Sequence, residues 1–150
     1  MSGDQVMREL GDSYPVPEFD STSWTTPPRL EDATVAIVTS AAIHSLDDDR
    51  FAVGDTGYRI VDRERRDLVL GHWSPNFDRA GLTADLNVAY PADRLEELAA
   101  DGTIGGVGPH HLAFMGAQDE TMATIRVDTG PAAATLLRGD AVDVVLLTPV

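Results

Sequence analysis

Residues Thr34–Ser40 read TVAIVTS, a continuous apolar and β-branched run with little alternation. That pattern marks a strand buried on both faces, as in a parallel sheet. SAAIH (40–44) follows at its carboxyl end. In open α/β sheets ligands bind along that edge, so Ser40 and His44 are candidate substrate-binding residues.

Outward from this strand the chain alternates. Tyr58–Asp62 (YRIVD) reads as a short strand, and Leu68–Trp73 (LVLGHW) as the next, with His72 at its carboxyl end. Pro91 opens a helix over ADRLEELAA, with Asp93 early and Gly102 as its stop. Thr103–Val107 reads as a short glycine-bearing strand, and GPHHLAFMG (108–116) as a turn. Gln118–Ile125 is left open between helix and insert. Pro131–Arg138 is a helix closed by Gly139, and Asp143–Leu147 (DVVLL) a last buried strand. Helix–strand alternation with apolar strands predicts a three-layer, Rossmann-like, mostly parallel α/β sheet in a single domain over residues 32–150. Its C-terminal end is open to completion, because a core strand there should lead into a functional turn. Residues 1–31 read as an extended arm. Pro15, Pro17, Pro27 and Pro28 interrupt any helix beyond a short one near Gln5–Leu10, and Tyr14, Phe19 and Trp24 are its anchors.

Composition narrows the function. There are 25 acids against 11 bases, a formal net charge of −14, so neither nucleic acid nor an anionic membrane is an expected partner. The absence of cysteine excludes a disulfide, a thiolate metal site or a thiol nucleophile within these 150 residues. No run approaches the ~20 apolar residues of a membrane helix. MSGDQVMREL is not a signal peptide, so the cytoplasm is the expected location. The acidic triplet Asp47–Asp49 lacks the alternating ligands of a calcium loop and reads as solvated. No glycine loop has phosphate-cradling spacing.

Chemistry concentrates in Gly71–Arg94, GHWSPNFDRAGLTADLNVAYPADR. Loops this dense in ionisable groups, Pro and Asn are where rigid scaffolds place function. The scaffold is expected to hold it against His110–His111 and the C-terminal end.

Five segments in order carry a family resemblance: VAIVTSAAIH (35–44), GHWSPNFD (71–78), the DLN–x–x–Y–P–x–x–RL run at Asp85–Leu95, DGTIGGVGPHHLAFMG (101–116) and VVLLTPV (144–150). Together, over roughly residues 30–150, they resemble the selenoprotein B family, the substrate-reducing subunits of glycine, sarcosine, betaine and D-proline reductases. The resemblance implies a selenocysteine or cysteine directly after the last strand, just past Val150, and no cofactor within this chain. It implies a small amino-acid-like substrate, with partner reductase subunits or a homo-oligomer. Selenocysteine is encoded by a codon normally read as stop, so the expectation is a longer protein.

Reductive cleavage of a C–N bond in these reductases needs an anionic nucleophile, a proton donor for the leaving nitrogen and a clamp for the substrate carboxylate. On that reading His72, His111 and Asp78 are the catalytic candidates. Asp85, Asn87, Arg94 and His110 join Ser40 and His44 as substrate-binding candidates. Simpler readings stand beside these. Asp85–Asn87 can be an Asx turn or helix cap, Arg94 can pair with Glu97 along a helix, and His72 can be a hydrogen-bonded strand end. Two rival functions are a metal-dependent enzyme using the His/Asp cluster and a non-catalytic α/β binding or assembly module. No metal-ligand spacing favours the former, and no metal site is assigned.

Overall fold

The strand that reads TVAIVTS lies inside the sheet, with a neighbour along each of its edges. A computed structural model describes residues 3–13, 20, 22, 25–75, 77, 79–119 and 121–150, apart from the side chains of 4, 7 and 10. In chain order the elements are α1 (Gly3–Ser13), β1 (Thr34–Thr39), β2 (Ile43–Ser45), β3 (Tyr58–Asp62), β4 (Leu68–Leu70), α2 (Arg79–Ala84), α3 (Ala92–Ala100), β5 (Gly106–Val107), β6 (His110–Phe114), α4 (Gly130–Gly139) and β7 (Val144–Thr148). A 3-10 turn at Leu86–Val88 precedes α3, and a π-helical turn at Ile125–Thr129 leads into α4.

The sheet runs β3–β6–β1–β7, with β5 pairing the amino end of β1 on the same side as β6. β5, β6 and β7 are all parallel to β1, and only β3 is antiparallel, to β6. A two-stranded antiparallel ribbon of β2 and β4 stands apart from it. Val35 and Ile37 point to one face and pack with Tyr90, Leu95, Ile104 and Val107. Ala36 points to the other and packs with Leu112, Ala133 and Leu137 of α4. Each fully buried large aliphatic here contributes about 1.5–3 kcal/mol. The fold is thus a single mixed α/β domain built on a mostly parallel sheet with helices on both faces, the class expected from the alternation.

Three local expectations need correction. GPHHLAFMG is not a turn, since His110–Phe114 is strand β6, paired to β1 and β3 at once. β7 is not buried. Among the described residues it pairs with β1 alone, and Val145, Leu146 and Leu147 are exposed, Leu147 by 68%. His44 does not sit in a loop but in β2. The helix near Gln5–Leu10 is present within α1. The proposed anchors Tyr14, Phe19 and Trp24 lie outside the described residues.

Candidate active site

Four segments converge where β1, β6 and β7 end. The Ser40 hydroxyl accepts from the Val150 amide at 2.9 Å and reaches the Val150 carbonyl at 3.3 Å. Gly116, just past β6, faces this junction. A Cβ there would lie 2.9 Å from His72 Nε2, 2.9 Å from the Ser40 carbonyl and 3.1 Å from the Val150 carbonyl. Only glycine leaves that space open. His72 follows β4 and is buried. Its Nδ1 accepts from the Ser74 amide at 3.1 Å, so in the neutral ring the proton is on Nε2. Nε2 is buried without a partner among the described residues. Phe77 stacks on the ring at 4.1 Å. Burial, and then the positive charge of Arg79, hold the His72 pKa below its usual value, so the ring is neutral near pH 7. A cavity of about 530 Å³ opens here, between His72, Phe77, Leu82, Val88, Gly116 and Val150.

The 85–91 segment is fastened to the same strand ends. The hydroxyls of Thr39 and Thr148 both reach the Ala89 carbonyl, at 3.0 and 2.8 Å. Paired residues of adjacent strands point to one face, and these two are paired across β1 and β7.

His72 also lines a second cavity of about 430 Å³, with His44, Arg50, Phe51, Trp73 and Arg79. Trp73 donates its indole N–H to the Phe51 carbonyl at 2.6 Å, which fixes the wall. Arg79 donates to the His72 carbonyl. The buried His44 ring rests against Gly71, where a Cβ would come within 2.9 Å of Cε1.

The two adjacent histidines separate. His111 points into the core with no solvent exposure, and its Nδ1 accepts from the Ile37 amide at 3.0 Å. Burial pushes its pKa down to about 4, so it is neutral. Tyr90 meets its ring edge-on at 5.4 Å. This joins the 71–94 segment to His111. His110 opens β6, the end remote from Gly116, where its ring contacts Asp140 at 2.8 Å and Asp62 at 3.5 Å.

Asp85, Asn87 and Arg94 line neither cavity. Asp85 caps the turn before α3, accepting from the Asn87 amide at 2.9 Å and its side-chain amide at 3.0 Å. These bonds lower its pKa. Asn87 also donates to Asp93 at 3.2 Å. Arg94 pairs with Glu97 at 2.8 Å on the exposed face of α3. Asp78 lies outside the described residues. Among the described residues no three His, Asp or Glu side chains converge on a point where a metal ion could be held. No described helix is long and apolar enough to cross a membrane.

Of the candidates named from the sequence, His44 and His72 line the cavities and Ser40 hydrogen-bonds Val150 beside the first. Gly116, Phe77, Arg50 and Arg79 line them too and were not among those candidates. Arg79 and Phe77 lay within the quoted loop, and the glycine after Phe114–Met115 was the signal for a close approach.

No family model matches the chain, and no solved structure matches it. It is similar to the D-proline reductase subunit gamma of Acetoanaerobium sticklandii, with 33% identity over 152 residues that cover 99% of this chain. The chain spans 62% of that relative's length.

Proposed function

We propose that this chain is a subunit, or the front portion of one, in a selenol- or thiol-dependent reductase that cleaves a C–N bond of a small amino acid or related amine. The finer reading within that class is the selenoprotein B type, with the reactive residue supplied just past Val150. The observation that carries it is the similarity to a D-proline reductase subunit along nearly the whole chain. The site supports it: His72 Nε2, without a partner among the described residues, and the Val150 carbonyl both border the space at Gly116.

A selenolate or thiolate there would bond to the substrate carbon as the C–N bond breaks and the nitrogen leaves with a proton, and a second thiol, which a partner subunit would supply, would release the reduced carbon, with a proton, by forming a Se–S or S–S bond. The residues of this chain then have separable tasks. Ser40 holds the main chain at Val150 through its hydroxyl. Gly116 leaves room beside it. His72 presents a neutral Nε2–H, which can hydrogen-bond an anion without a second charge. Phe77 covers one face of that ring and keeps water from it. His111 acts as a positioning residue, holding β1 and β6 in register through Ile37. Asp78, beside Arg79 in the sequence, is the carboxylate we assign to the same loop. Partner subunits are part of the proposal, since the relative is itself named as a subunit.

The test is to express the gene with selenocysteine decoding and weigh the product. A mass above 16.1 kDa, with selenium or a cysteine directly after Val150, is expected. A product of 16.1 kDa under those conditions overturns the proposal.

A further inference from the structure

We propose that the cavity between β2 and the 71–79 segment is a binding site for a small carboxylate with a compact apolar body. It rests on the reading above, in which it is the carboxylate subsite of the substrate. The argument is one of charge. The chain carries 25 acids in 150 residues, and all 11 bases are arginine. Arg29, Arg59, Arg63, Arg65, Arg66 and Arg94 are each paired with a carboxylate. Arg8 and Arg126 are engaged in other interactions. Arg138 sits in the last turn of α4, where the helix carbonyls favour a cation. Arg50 and Arg79 remain, without a carboxylate partner among the described residues, and both line this one cavity. No acid lines it.

In so acidic a chain, two guanidiniums on one cavity, with no carboxylate partner among the described residues, select an anion by charge and by fork geometry. The wall selects the rest. Phe51, Leu70 and Trp73 offer apolar surface, and the indole N–H is already spent on the Phe51 carbonyl. A volume of about 430 Å³ suits a small organic acid with room for water. His72 lines this cavity and the one at Val150. A carboxylate held by Arg50 and Arg79 would therefore lie beside the imidazole. Arg94, the clamp candidate of the sequence analysis, pairs with Glu97, the alternative set beside it there.

The experiment is calorimetric titration of the 150-residue chain at low salt with D-proline, acetate, pyrrolidine and inorganic phosphate. D-Proline is expected to bind saturably and acetate to compete with it. Pyrrolidine, which lacks the carboxylate, is expected not to bind. Arg50→Gln and Arg79→Gln should each weaken D-proline at least tenfold with unchanged circular dichroism, while Arg138→Gln binds normally. No saturable binding by either carboxylate, binding that survives the double Arg50→Gln/Arg79→Gln variant, or tighter binding of phosphate than of D-proline would each overturn the assignment. The two proposals fail separately. A product ending at Val150 removes the reductase but leaves this binding, and an active reductase whose substrate affinity ignores both arginines removes this site alone.

Discussion

The main-chain amide of Ile37, in the middle of β1, donates to the side chain of His111 rather than to a neighbouring strand. β5 pairs with Thr34 and Val35, and β6 with Val38 and Thr39, so a gap lies between them. The imidazole fills it. A buried amide left without a partner would cost about 1–3 kcal/mol.

Burial of this ring makes stability depend on acidity. Burial lowers the His111 pKa to about 4, against ~6.5 for a free histidine. A lowered histidine pKa means the fold prefers the neutral ring. The contribution is complete above pH ~6.5 and is lost as pH falls towards about 4, with a size of about 3 kcal/mol. His111→Leu should flatten that acid limb and lose about 1–3 kcal/mol at pH 7.5, because Ile37 loses its acceptor. Urea unfolding of both proteins from pH 7.5 to 4 checks this; equal acid limbs would refute it.

His72 offers a spectroscopic check. Its pKa is lowered first by burial and then by Arg79. Arg79→Gln should raise it while leaving it below ~6.5, since the larger cause stays. NMR titration of the ring proton on Cε1 measures this directly. An unchanged midpoint would mean that the guanidinium does not face the ring.

Gly116→Ala should disturb the end of β7. The added methyl meets two main-chain carbonyls and the His72 ring at 2.9–3.1 Å, and main chain does not yield as a flexible side chain does. A loss of about 1–3 kcal/mol is expected, with faster amide exchange at Val150. Gly139→Ala meets nothing within 4 Å and is the control, neutral or slightly stabilising. Equal effects from the two would show that the space at Gly116 is not tight.

β7 leaves Val145, Leu146, Leu147 and Val150 exposed on a strand with one edge unpaired among the described residues. Such edges template association. The 150-residue chain should self-associate as its concentration rises, and Leu147→Lys should suppress this. Sedimentation velocity across a dilution series measures it, and a monomer at every concentration would contradict it.

What was legible in the sequence follows from what acts locally. β1 shows as an unbroken apolar run, and α3 and α4 show because proline opens and glycine closes each one. β6 was hidden. Two histidines at its start break the apolar pattern, and one earns its place only through an amide 74 positions earlier. Ser40 and His72 could be placed at strand ends because strand ends can be located from pattern. Arg50 and Arg79 were not singled out, because whether an arginine is neutralised depends on which acids the fold brings to it. Asp85 and Arg94 took the simpler readings set beside them, a turn cap and a surface pair.

A single oxygen, that of Ala89, receives hydroxyls from two strands whose threonines lie 109 positions apart. Such an attachment is redundant. If either threonine is lost, the other still moors the segment, so damage should surface only when both are gone. Selection acting on one position at a time would scarcely see this latch, although the mouth of the cavity is hung on it.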